Sequence, residues 1–181
     1  MNGFYTINID ELGEDVVERA RQFAENVVNE TYDRFGYDYE RRVETIYVGK
    51  LAEEVFIRFA AENLGVDLES NYEIYPGIEN ADQNDFVING QEIDIKSSKD
   101  TQKEGINSCY RRFNFPVPTD QHIKAVTVSI LYDFNVENFY IVSWIDRETY
   151  ENNYRRGYLP VGPGRRKEFY LYPLRNGNEI S

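Results

Sequence analysis

One cysteine and one histidine stand among 181 residues. The lone Cys109 excludes an internal disulfide and a cysteine-held zinc site, and is read as an inert thiol. The lone His122 excludes a histidine-rich metal centre and is read as structural. Any metal this chain holds must therefore sit on oxygen, which suits Mg²⁺, Mn²⁺ or Ca²⁺. No apolar run approaches the roughly 20 residues of a membrane helix. No basic-then-apolar leader opens the chain. A soluble cytoplasmic protein with no membrane partner is expected. Internal repeats and low-complexity segments are also missing, and 181 residues leave little room for a second domain, so a single domain is expected.

Bases are scarce too, but unevenly so. The net charge of −12 argues against a nucleic-acid binder. Residues 1–95 hold 22 acids and 7 bases, a balance of −15; residues 96–181 hold 10 and 13, a balance of +3. A molecule divided in this way can present a basic face to phosphate while its acidic part is solvated.

What the chain does have is pattern. Apolar residues at steps of three and four predict a helix from Asp10 to about Phe35 and another from Glu40 to Asn63, closed by Gly65. Residues 1–9 read as a lead-in, and residues 71–76 as a strand. The run Ile123–Tyr132 is rich in β-branched residues and apolar on both alternations, which predicts a central strand covered on both faces. Asn138–Ile145 predicts another strand, with Trp144 in the core, and Asp146 caps a short helix ending near Tyr154. Pro116 and Pro118 interrupt the aromatic and basic run Tyr110–Phe115 and confine any preceding helix to about residues 100–112. A Gly/Pro loop over residues 157–164, the basic trio Arg165-Arg166-Lys167 and a strand Glu168–Tyr172 complete the order. The predicted class is α/β: a mixed sheet flanked by helices, with residues 1–39 a helical extension, 40–150 the core and 151–181 a loop and strand.

The chemistry gathers on one hairpin. Phe86-Val87-Ile88 is a short apolar strand, and Asn89-Gly90 suits a tight turn with two positive φ angles. On the return strand Ile93 and Ile95 point one way, and Glu92, Asp94 and Lys96 the other. Asp85, at the start of the first strand, is carried back toward them. Glu53 interrupts the edge of the second helix's apolar stripe, one turn after Gly49, which is small enough to let another element approach. It is preferred to Glu54 for a site. Carboxylates that converge repel unless a cation lies between them, and such a set is the usual way to hold Mg²⁺. Lys96 is then placed to orient water or to stabilise developing negative charge. Glu92 is read as solvated, and Ser97, Ser98 and Gln121 as minor candidates.

Asp85 followed by Asp94-Ile95-Lys96 after a hairpin resembles the Asp…(Asp/Glu)-X-Lys signature of the PD-(D/E)XK nuclease superfamily, the restriction-endonuclease-like fold. Gly49-Lys50-Leu51-Ala52-Glu53 is similar to that family's helix glutamate motif. Asn84 stands where the family often carries proline. The resemblance covers residues 48–145. It implies a four-stranded mixed core sheet with the site at one edge. It also implies a Mg²⁺-dependent deoxyribonuclease, with Mn²⁺ as substitute. Asp85, Asp94 and Glu53 would be the metal ligands and Lys96 their catalytic partner. DNA is the expected substrate, and paired cuts would fit a homodimer. Arg111, Arg112, Arg165, Arg166 and Lys167 are candidate phosphate contacts, and Tyr110 and Phe113 candidate stacking platforms. Two other readings stay open: an inactive module of the same fold that binds nucleic acid or protein, and an acidic interaction protein that mimics DNA.

Overall fold

A computed structural model of the chain describes residues 4–30, 38–74, 85–99, 105–162 and 164–180. The first element is a strand, β1 (Tyr5–Asn8), where a lead-in was expected. It is too short to show a period in sequence, and tertiary pairing makes it a strand. The Asn8 side chain then caps a 3₁₀ turn, Ile9–Leu12, in a capping box with Glu11. Gly13, at φ 92°, separates that turn from α1 (Glu14–Glu30), so this helix starts later than its periodicity predicted. Its expected end at Phe35 lies outside the described residues.

Helix α2 (Tyr39–Phe59) buries Val48, Leu51, Ala52, Val55 and Phe56. It runs on through a π turn, Ala60–Leu64, and stops at Gly65 in the left-handed conformation. These bounds match the predicted helix. The segment Asn71–Ile74 is irregular rather than extended strand. The Asn71 side chain accepts from the Glu73 amide at 2.8 Å, and its carbonyl accepts from Lys50, so this backbone is turned toward α2. Residues 75 and 76 lie outside the described residues.

Beyond them come β2 (Phe86–Ile88), β3 (Gln91–Lys99), α3 (Ile106–Arg112), β4 (Asn114–Pro118), β5 (Val126–Asp133), β6 (Asn138–Asp146), α4 (Arg147–Asn153), β7 (Arg155–Gly162) and β8 (Arg165–Pro173). The main sheet has the order β1-β6-β5-β3-β2. Only β3 and β5 run parallel, and α3 lies in the connection between them. Central strand β5 is buried from Thr127 to Tyr132, as its unbroken apolarity predicted. Asp146 caps α4 by accepting from the Thr149 amide.

The sheet separates two cores. Ile93, Val128, Ile130 and Ile141 pack under Ala20, Leu51, Val55 and Phe56 of the two long helices. On the other face Leu131, Val142 and Ile145 meet Phe115, Tyr150, Tyr172 and Leu174. Burying each such aliphatic side chain contributes about 1.5–3 kcal/mol.

The second core depends on a three-stranded antiparallel sheet, β4-β8-β7, which the sequence did not reveal. Pro116 and Pro118 do not break the chain; they sit in edge strand β4, where the outward side needs no amide donor. The Gly157–Gly164 run is largely strand β7 rather than loop. A Cβ on Gly157 would lie 2.6 Å from Leu171 Cδ1, so this glycine serves close packing against β8. The trio Arg165-Arg166-Lys167 lies within β8, not ahead of it. The molecule is therefore a mixed α/β fold with a second small sheet; its main sheet is five-stranded, β1 adding one strand to the four of β6-β5-β3-β2. No helix among the described residues is long and apolar enough to cross a membrane.

Candidate functional site

The hairpin forms as its sequence dictates. Asn89 and Gly90 take φ values of 51° and 80°, and Phe86, Val87 and Ile88 pair with Ile93, Glu92 and Gln91. Strand β2 ends there, while β3 continues alongside β5 to Lys99. Among the described residues no strand pairs with the Ile95 amide on the β2 side. The Asp85 carboxylate takes that place, accepting the Ile95 N–H at 2.5 Å.

Alternation along β3 divides its chemistry between two faces. Ile93 and Ile95 join the helix-covered core. Asp94 and Lys96 lie in register with Thr127 and Ser129, on the face that carries Leu131 and the second core. The Lys96 ammonium donates to Asp94 at 2.9 Å. Asp85, at the sheet edge, feels both faces. Burial, then the charges of Asp94 and Glu53, push its carboxyl up to about 7, against the pull of the Ile95 amide and Lys96. Asp85 thus links the two other predicted carboxylates, and Lys96 is ion-paired to Asp94.

Glu53 reaches this edge from α2. Its carboxylate accepts from Lys50 at 2.6 Å and from Ser70 at 3.2 Å. Burial nonetheless raises its pKa, outweighing Lys50. Lys50 itself is buried, lies over the Phe23 and Tyr72 rings at 4.8 and 5.2 Å, and donates to the Asn71 carbonyl at 2.8 Å. The sequence reading missed this clamp. The signal was a lysine three residues before the glutamate, on the same helical face. Glu54, the rejected alternative, is turned to the Tyr72 hydroxyl at 2.6 Å and Arg19 at 3.6 Å. The element that approaches Gly49 is β3, with Ser97 Oγ 3.8 Å from where a Cβ would stand.

Several expectations are redrawn. Glu92 is not simply solvated; it meets Arg147 at 3.2 Å and His122 at 3.5 Å. Tyr110 is buried in the second core against Phe4, which removes it as a stacking platform. Phe113 is half-buried and lines a pocket beside Lys96, with Arg112 on the same wall. Arg111, Arg165 and Arg166 are exposed, and Lys167 pairs with Asp120 at 2.9 Å. Ser97 and Ser98 continue the strand rather than ending it. Gln121 sits in the turn after β4, its amide donating to the Pro118 carbonyl.

The donor chemistry suits a hard divalent cation: the buried Asp85 carboxyl at the sheet edge feels the charges of both Asp94 and Glu53. Thr127, beside Asp94 on the same face, keeps its hydroxyl buried with no hydrogen-bond partner. The ligand shell is not preassembled, since no three described His, Cys, Asp or Glu side chains stand grouped to hold an ion. Instead Lys50 and Lys96 neutralise Glu53 and Asp94. No family model matches the chain, and neither does any curated protein or solved structure.

Proposed function

We propose that this protein hydrolyses phosphodiester bonds in DNA with a divalent cation, as its resemblance to the PD-(D/E)XK nucleases implies. The observation that carries the reading is the buried Asp85 at the sheet edge under the charges of both Asp94 and Glu53, with Lys96 on Asp94. Asp85 and Asp94 would hold the ion, with Glu53 completing its oxygen ligands. When bound, Mg²⁺ would supply an acidified water and neutralise charge on the phosphate. Lys96 is set two residues from Asp94 on one face, where its ammonium can stabilise the extra negative charge of the transition state. Lys50 orients Glu53. The test is cleavage of plasmid DNA with Mg²⁺ or Mn²⁺. Asp94→Ala and Lys96→Ala should each abolish it with the melting temperature preserved; full activity of folded Asp94→Ala would overturn the mechanism.

One observation favours a second reading, a binding module without catalysis. Lys50 and Lys96 already satisfy Glu53 and Asp94, so the carboxylates can be balanced without a metal. Calorimetry with Mn²⁺ separates the two readings: the nuclease takes up the ion through Asp85 and Asp94, and the inactive module does not.

A further inference from the structure

Beside Lys96 the two sheets leave a pocket of about 330 Å³. Its position follows from the topology. Lys96 and Ser129 are neighbours in register on β3 and β5, and Ser98 follows Lys96 on the same face. They line one side. Strands β4 and β7 of the second sheet supply Pro116 and Leu159, and the end of α3 supplies Arg112 and Phe113. Hydroxyls and cations therefore share the pocket with an aromatic ring and apolar walls. That division matches a nucleotide, in which a phosphate and a sugar are joined to a flat base. The volume lies at the small end of the roughly 300–1,000 Å³ of ligand pockets. It has room for one nucleotide, and a base turned inward against Phe113 is turned away from any partner strand.

We infer that this pocket holds a single unpaired nucleotide of the substrate, its phosphate at Lys96 and Arg112 and its base against Phe113 and Leu159. The substrate class is then single-stranded DNA, or a frayed end, rather than an intact duplex. A duplex would have to release a base, at a cost of a few kcal/mol. A free strand enters without that cost and gains stacking on Phe113. The inference rests on the proposed nuclease reading for its substrate, but not for its test.

The test is equilibrium binding of a fluorescein-labelled ten-nucleotide oligo-dT, in chelator so that no cleavage can occur, beside a blunt duplex of the same length. The single strand should bind at least tenfold more tightly than the duplex. Leu159→Trp fills the pocket from an edge strand, and Arg112→Ala removes an exposed cation; each should weaken single-strand binding at least fivefold. Leu159→Ala, which opens the pocket, keeps the test valid should the tryptophan variant misfold, and should weaken binding less than Arg112→Ala does. Equal affinity for strand and duplex, no binding of either, or unchanged binding by folded Leu159→Trp would overturn the pocket assignment. Mg²⁺-dependent cleavage assayed separately on the wild type shows whether the nuclease reading stands when the pocket assignment fails.

Discussion

Asp85 shows how one residue joins fold and chemistry. Its carboxylate accepts the Ile95 amide beyond the end of β2, and it is desolvated under the charges of Asp94 and Glu53. Its carboxyl is raised from 3.8 to about 7, so the folded state holds this proton more tightly than the unfolded chain. The resulting stabilisation is full below pH 3.8 and is lost as the pH rises through about 7. Asp85→Asn keeps an acceptor for the amide and removes the charge. In chelator it should melt at a higher temperature than the wild type at about pH 8, with the gap closing by about pH 4. Equal melting temperatures across that range would mean that the carboxylate is not desolvated. This coupling was only half visible in the sequence. Asp94 and Lys96 follow from strand alternation, which is local. The position of Glu53 depends on how α2 docks, and Lys50 becomes a clamp only once both are buried.

At the scale of elements, two glycines act by different means. Gly90 sits at φ 80° in open space, so its role is purely conformational. Gly90→Ala should cost about 1–2 kcal/mol in denaturant melts, and Asn89→Gly much less, because both turn positions need positive φ. Gly177 has an ordinary φ of −73°. A Cβ there would lie 2.2 Å from Ser143 Oγ and 2.9 Å from the Trp144 carbonyl. Ser143 is already held by the Leu174 carbonyl at 2.8 Å. Gly177→Ala should therefore destabilise by about 1–3 kcal/mol through overpacking, measured by the same melts; a neutral effect would mean that the C-terminal segment is loosely seated on β6. The turn at Asn89-Gly90 was legible because its chemistry is written in two adjacent residues. The Gly177 contact was not, because it joins residues 34 apart through tertiary packing.

For the whole molecule, charge decides how a chain of net −12 meets an anionic polymer. The proposed contacts are few: Lys96, Arg112 and one more cation of the exposed arginines. With about three neutralised phosphates on a single strand, affinity should fall about 20-fold between 50 and 200 mM salt. Titration of oligo-dT across that range reads the slope. A flat dependence would mean that phosphate contributes nothing, and would leave only stacking.

The sequence by itself determined the two long helices, the hairpin, the central strand and the capped helix after Asp146, because each rests on periodicity or capping within a dozen residues. It also placed Asp94 and Lys96 on one face. Only the tertiary structure decided the strand at Tyr5–Asn8, the second sheet, and the closeness of Glu53 to Asp85. A four-residue strand and a glycine- and proline-bearing edge strand have no local signature; pairing with distant partners makes them strands. The pocket beside Lys96 belongs to the same class, since its walls come from β3, α3, β4 and β7, which meet only when both sheets have formed.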